Sequence, residues 1–182
     1  MIPPQSQESE PTSVTASSDP AQMRTDGSYE GEYVNGARSG YGVMRYANGD
    51  VYEGQWSNGH KQGEGTLLRV NGEKYVGNWE NDTISGYGTY WFSSGDTYSG
   101  EWENALRHGQ GVFSWANGAV YDGDWVRDNR SGYGTYLFSN GDRYTGEWQD
   151  NCFHGYGEYT SPDGVTIYAG IWAGGELTEK YE

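Results

Sequence analysis

The chain of 182 residues contains one cysteine, Cys152, so no internal disulfide can form, and with three scattered histidines it lacks the makings of a cysteine–histidine zinc cage. Positive charge is scarce. Eleven Lys and Arg stand against 26 Asp and Glu, a net charge of −15 that argues against binding nucleic acid through its phosphates. No apolar run approaches the roughly 20 residues that cross a bilayer as a helix. Met1-Ile-Pro-Pro-Gln5 has neither the basic nor the apolar region of a secretory signal, which predicts a cytoplasmic chain. Hydrophobic residues amount to only 34%, too few for an aliphatic core of ordinary kind.

What the chain has instead is glycine and rings: 30 glycines, 17 tyrosines, eight tryptophans and four phenylalanines. They recur every 23 residues. Tyr29-Glu-Gly-Glu-Tyr33 returns as Tyr52-Glu-Gly-Gln-Trp56, Tyr75-Val-Gly-Asn-Trp79, Tyr98-Ser-Gly-Glu-Trp102, Tyr121-Asp-Gly-Asp-Trp125 and Tyr144-Thr-Gly-Glu-Trp148. A last Tyr168-Ala-Gly-Ile-Trp172 comes 24 residues on, after a one-residue insertion near Thr166 and Ile167. Each full copy also carries Gly-x-Gly, from Gly40/Gly42 to Gly155/Gly157. A fixed period of this length makes the fold an array of small units, and every conspicuous residue has siblings, which is unlike an active site.

With the leading tyrosine as position 1, positions 1, 3 and 5 read aromatic, glycine, aromatic, a period of two that fits a strand. Positions 12, 14, 16 and 18 read glycine, glycine, large, large, and residues of like parity share one face. Each copy is therefore expected to form two strands with one aromatic-and-glycine face and one polar face, rings covering strand glycines. Asn48-Gly49 and its counterparts at positions 20 and 21 predict tight type I′ turns, whereas positions 6 to 11 read as a longer, variable connection. Thirteen strands are expected, the last copy stopping after one, with Gly174-Gly175, Glu176, Glu179, Lys180 and Glu182 as a charged edge. Residues 1–26, rich in Pro, Ser, Thr and Glu, are expected to be a disordered tail, and 27–182 the array.

Tyr-x-Gly-x-Trp followed by Gly-x-Gly at this spacing resembles the MORN (membrane occupation and recognition nexus) repeat, in six full copies and a partial seventh. The resemblance implies an all-β fold, an elongated, twisted antiparallel sheet of stacked hairpins whose aromatic face lines a concave groove. It also implies a role in assembly. Arrays of this family occur alone in cytoskeletal proteins and radial spoke heads, and appended to junctophilins, plant phosphatidylinositol phosphate kinases and a SET-domain lysine methyltransferase.

No kinase-like or methyltransferase-like stretch stands outside the repeats. Carboxylates recur in rows, Glu32, Glu101, Asp124 and Glu147 at position 4 for example, which suits a solvated face and not an acid–base pair. Gly-x-Gly lacks the Lys-Ser/Thr and the helix of a phosphate-cradling loop. The expectation is a non-catalytic protein-interaction scaffold without metal or cofactor, in a cytoskeletal or ciliary setting. A partner peptide or helix would lie along the aromatic groove, on Tyr33, Trp56, Trp79, Tyr90, Trp102, Phe113, Trp125, Tyr136 and Trp148. Arg38, Lys61, Arg107 and Arg130, at position 10 in four copies, are expected to form a basic loop row. The alternatives are a phosphoinositide-associated adaptor, disfavoured by the net charge, and a regulatory module like that of the lipid kinases. A monomer or a weak dimer is expected.

Overall fold

The computed structural model describes residues 27–181; the expected tail at 1–26 and Glu182 lie outside the described residues. Fourteen strands follow one another in chain order in one antiparallel sheet. Within residues 27–106, one compact unit, these are β1 (Ser28–Val34), β2 (Ala37–Arg45), β3 (Val51–Ser57), β4 (His60–Leu68), β5 (Lys74–Glu80), β6 (Thr83–Trp91) and β7 (Thr97–Glu103). The second unit begins within β8 (Leu106–Ser114) and holds β9 (Val120–Val126), β10 (Asn129–Leu137), β11 (Arg143–Gln149), β12 (Cys152–Thr160), β13 (Thr166–Ala173) and β14 (Glu176–Lys180). Every copy is a hairpin, as the period-two pattern predicts.

The strand β14 exceeds the thirteen expected. Gly174 and Gly175, read as edge glycines, take φ of 58° and 86° and turn the chain back so that Trp172 pairs with Leu177. Gly-Gly at a two-residue hairpin is a turn signal in its own right.

The two kinds of connection are the reverse of the expectation. Positions 7 and 8 form the two-residue turns with positive φ at both residues: Asn58 (51°) and Gly59 (85°), Asn81 (47°) and Asp82 (67°), Arg127 (48°) and Asp128 (70°). Those angles define type I′. At positions 20 and 21 only the glycine is left-handed, as at Gly49 (93°), whose N–H donates to Tyr46 O at 2.9 Å. That is a type I turn closed by a left-handed glycine, a longer loop. The strand after the short turn consequently starts at position 9, inside the stretch read as loop.

A second irregularity lies at position 12. The register slips between Gly54 and Trp56 against β4, and Gly63 there has φ of 65°. This β-bulge leaves the carbonyl of Gln55 off the ladder, and the Tyr52 hydroxyl donates to it at 3.0 Å. Tyr75, Tyr98, Tyr121 and Tyr144 bond Asn78, Glu101, Asp124 and Glu147 carbonyls in the same way at 2.9–3.0 Å. Burial alternates on both strands, positions 1, 3 and 5 inward on β3 and β7, so the core is one face of the sheet.

Candidate functional site

On the inward face the repeat unit is a tyrosine over a glycine pair. Gly77 and Gly88 lie opposite each other on β5 and β6, and the Tyr75 ring covers both. Tryptophans join one copy to the next. Trp79 meets Tyr75 of its own copy at 5.4 Å and Tyr52 of the preceding copy at 5.3 Å, both edge to face. Its indole N–H donates to Gly65 O at 3.3 Å, and Trp102, Trp125, Trp148 and Trp172 reach back to Gly88, Gly111, Gly134 and Gly157. Stacking of neighbours thus carries stability that no hairpin has alone.

Position 10 closes this packing. The Arg38 guanidinium lies 4.2 Å from the Trp56 ring centre, Lys61 Nζ 4.4 Å from Trp79, and Arg107 4.4 Å from Trp125. Arg130 stands 4.9 Å from Trp148. Each cation covers the tryptophan of the following copy in a cation–π contact, buried for Lys61 and Arg107 and part-exposed for Arg38 and Arg130. In the remaining copies Ile84 and Phe153 occupy the position, and Phe153 meets Trp172 edge to face at 5.4 Å. The basic loop row is therefore corrected: these residues belong to β2, β4, β8 and β10, and Lys61 and Arg107 are buried. With the two-residue turn at positions 7 and 8, position 10 is an inward strand position and not a loop tip. Turns of the following copy dock here as well: Asp82 Oδ1 accepts from Lys61 N at 2.8 Å, Asp128 Oδ1 from Arg107 N at 2.9 Å, and Asn151 Oδ1 from Arg130 N at 2.7 Å.

Of the nine aromatics expected along a partner groove, eight are core. Trp56, Trp79, Tyr90, Trp102, Phe113, Trp125, Tyr136 and Trp148 are each no more than 4% exposed. Their neighbours cover them, leaving little ring for a partner. Tyr33 is the exception at 59% exposed, beside Trp56 and Arg38 in an end cavity of about 480 Å³.

Lys61 has a measurable consequence. Burial lowers its pKa to about 8, with Asp82 opposing the shift. Between pH 8 and its ordinary value the unfolded chain binds the extra proton, so this group's contribution makes stability rise with pH across that window. Isoleucine fits the equivalent position at Ile84, fully buried. We expect Lys61→Ile to stabilise the first unit by about 1–2 kcal/mol at pH 7 in urea titrations, the gain shrinking towards pH 10.

The outward face carries what composition does not single out. Position 13 places Tyr41, Tyr87 and Tyr133 in solvent, 56%, 59% and 56% exposed. They alternate with Glu64 and Gln110, the sequence trace being the 46-residue recurrence of Ser-Gly-Tyr-Gly. Duplication alone would produce that recurrence; the exposure of its tyrosines is a separate fact. Among the described residues no group of three or more His, Cys, Asp and Glu is placed to hold a metal, and no helix is long and apolar enough to cross a membrane.

Against known proteins, a fold likeness and a family emerge. The SAS-4 TCP domain of Drosophila melanogaster, solved with a proline-rich motif of Ana2, superposes with a TM-score of 0.51 at 13% identity, covering 80% of this chain and 78% of that one. The CPAP G-box domain (TM-score 0.35, 13% identity, 80% and 93% covered) and the Danio rerio CPAP TCP10 domain with a STIL peptide (0.23, 15%, 77% and 72%) superpose too poorly to bear on it. No curated protein matches. The family model described as MORN repeat matches six consecutive segments, 29–51, 52–74, 75–97, 98–120, 121–143 and 144–166, the register of the Tyr-x-Gly-x-Trp period. With those six segments tiling most of its length, the chain belongs to the MORN-repeat family.

Proposed function

We propose that this chain is a non-catalytic protein-interaction scaffold that holds an extended segment of a partner protein, in a cytoskeletal or ciliary assembly. The observation that carries the reading is the division of its aromatics: the inward rings are spent on the core, while Tyr41, Tyr87 and Tyr133 are held in solvent by rigid strands. Large rings that contribute nothing to a core are the side chains from which interface hot spots are made. The fly domain of similar fold, described with a proline-rich motif, supports the same use of a sheet. A partner approaching the inward side would meet Tyr33 and the half-buried Tyr46, Phe92 and Phe138 before any tryptophan.

Peptide display on the purified chain tests this reading. Enrichment of a common peptide class that binds the isolated protein is the expected result; no enriched class would overturn it. The placement of Arg38, Lys61, Arg107 and Arg130 over tryptophans favours the scaffold reading over the phosphoinositide alternative. We expect no co-sedimentation with phosphoinositide vesicles at physiological salt. Binding lost in Arg107→Glu/Arg130→Glu, with the melting curve unchanged, would restore that alternative.

A further inference from the structure

In the first unit, position 13 of three successive copies puts Tyr41 on β2, Glu64 on β4 and Tyr87 on β6. Strands stand about 4.8 Å apart, so the two tyrosines are roughly 19 Å apart with Glu64 midway between them. The floor between them is glycine: Gly54 faces Gly65 and Gly77 faces Gly88. The side-chain positions of these glycines face inward, under Tyr52 and Tyr75, so only their backbone reaches the outward face, where Tyr41 and Tyr87 stand as the end walls of a shallow trough of about 500 Å³. The Tyr41 hydroxyl donates to Glu53 Oε1 at 2.8 Å, which holds one wall upright. Val76 adds an apolar patch, 38% exposed. Among the described residues lining the trough are two carboxylates, Glu53 and Glu64, and no cation.

We propose that this trough binds an extended, arginine-bearing segment of a partner protein, which rests on the scaffold reading above. A tyrosine face attracts a cation, and a guanidinium also stacks flat and pairs in two-point fashion with a carboxylate. Tyr41 beside Glu53, and Tyr87 with Glu64 next along the face, offer both features within one reach. The occupant is extended because the trough is shallow and crosses the strands. A polyproline II segment rising about 3.1 Å per residue spans the walls in about six residues and turns a side chain to the floor every third residue. Charge excludes two nearer occupants. Residues 1–26 carry Glu8, Glu10, Asp19 and Asp26 against Arg24, and a second copy of the chain brings −15.

The test is fluorescence anisotropy of the full chain with a labelled peptide of about twelve alternating proline and arginine residues. Peptides with lysine or glutamine in place of arginine serve as controls. We expect arginine to bind at least fivefold tighter than lysine, and glutamine not at all. Glu64→Lys and the pair Tyr41→Ala/Tyr87→Ala should each weaken binding tenfold or more with unchanged melting curves, since all three side chains are exposed. Asp163→Lys, the same charge change on an exposed loop outside the trough, should alter it less than twofold. Equal losses for Glu64→Lys and Asp163→Lys would reduce the effect to net charge and overturn the proposal. So would an unchanged affinity in the tyrosine pair. Should display enrich neutral peptides indifferent to Tyr41 and Tyr87, this site is wrong while the scaffold reading stands; should display enrich nothing, the scaffold reading itself has failed.

Discussion

Gly88→Ala is expected to unfold the repeats on either side of it, although it adds a single methyl group. A Cβ on Gly88 would stand 2.5 Å from Tyr75 Cζ and 2.6 Å from Cε2, well inside van der Waals contact. The ring has no way to retreat. Tyr75 is fully buried, wedged edge-on by Trp79 at 5.4 Å and Trp102 at 5.9 Å, and tied by its hydroxyl to Asn78 O at 3.0 Å. The opposite wall is backbone, because Gly77 is the cross-strand partner and is equally crowded. Overpacking a core costs about 1–3 kcal/mol when side chains can adjust. Here adjustment also breaks the tyrosine bond at the bulge and the tryptophan packing of the next copy, so a loss of about 4 kcal/mol is expected. That is a large part of the roughly 5–15 kcal/mol available to a domain. Because neighbouring copies stabilise each other, hydrogen exchange should accelerate first over β5, β6 and β7. Thr89→Ala on the neighbouring, outward-facing position should cost under about 0.5 kcal/mol. In a Tyr75→Leu background Gly88→Ala should cost much less than alone, since the clash has been removed. A cost below about 1 kcal/mol in the otherwise native chain would mean that the tyrosine does not pin the glycine pair.

The same contacts explain how much of the molecule could be read from its sequence. Spacing two residues apart, with tyrosine, glycine and tryptophan at positions 1, 3 and 5, forces strands and assigns their inward face; both follow from backbone geometry that no neighbour can alter. The turns are harder, because Asn-Gly occurs at both ends of a hairpin: Asn48-Gly49 in the loop where only glycine is left-handed, and Asn35-Gly36 and Asn58-Gly59 in the type I′ turns. Later copies replace the second pair by Asn81-Asp82, Asn104-Ala105 and Arg127-Asp128, which disguises a two-residue turn as ordinary loop sequence. In the structure Asp82 and Asp128 hold their strained turns by hydrogen bonds to strands 21 residues earlier, a tertiary cause that a local motif does not display.

The exchange of the two kinds of connection has the largest consequence for function. It turns Lys61 and Arg107 from a solvent-facing row into buried partners of tryptophan, and so puts a core where a membrane surface was on offer. The rings erred in the opposite sense. A count of aromatics does not say which of them the core consumes, and the position-5 tryptophans are consumed because each serves two copies at once, as Trp79 does with Tyr52 and Tyr75. Tyr41, Tyr87 and Tyr133 sit at odd-numbered position 13, opposite in parity to the core positions of their strands, and parity alone marks them as outward. Their sequence signal is present in the doubled period; what it lacks is a reason to prefer use over ancestry.

Alkali is expected to unfold the whole array within about two pH units of the ordinary tyrosine pKa, near 10. Burial raises the phenol of Tyr46 to about 12, and it pushes Tyr52, Tyr75, Tyr90, Tyr144 and Tyr159 higher still. In Tyr90 and Tyr159 a carboxylate acceptor adds to the effect, Glu73 and Asp142 at 2.7 Å each. A raised folded-state pKa stabilises fully below the unfolded value and loses that contribution as pH climbs through the folded one, because above pH 10 the unfolded chain releases protons that the native chain must keep. A tenfold difference in proton affinity between the folded and unfolded chain is worth about 1.4 kcal/mol, so Tyr46 alone forfeits roughly 3 kcal/mol by pH 12. The six together, discounted for the water that reaches some of them, still rival the stability of an ordinary domain. Far-UV circular dichroism and phenolate absorbance should therefore change together in one steep transition between about pH 10 and 12. Urea midpoints should first rise gently through pH 8–10 as Lys61 loses its proton, then collapse; Lys61→Ile should flatten the rise and leave the collapse in place. Tyr75→Phe and Tyr144→Phe, which lack the titrating hydroxyl, should move the transition to higher pH while lowering stability at pH 7 by about 1 kcal/mol each for the lost bond to the bulge carbonyl. A sheet signal still intact after all the phenols have ionised would show that the tyrosine rings are not the sealed core described here.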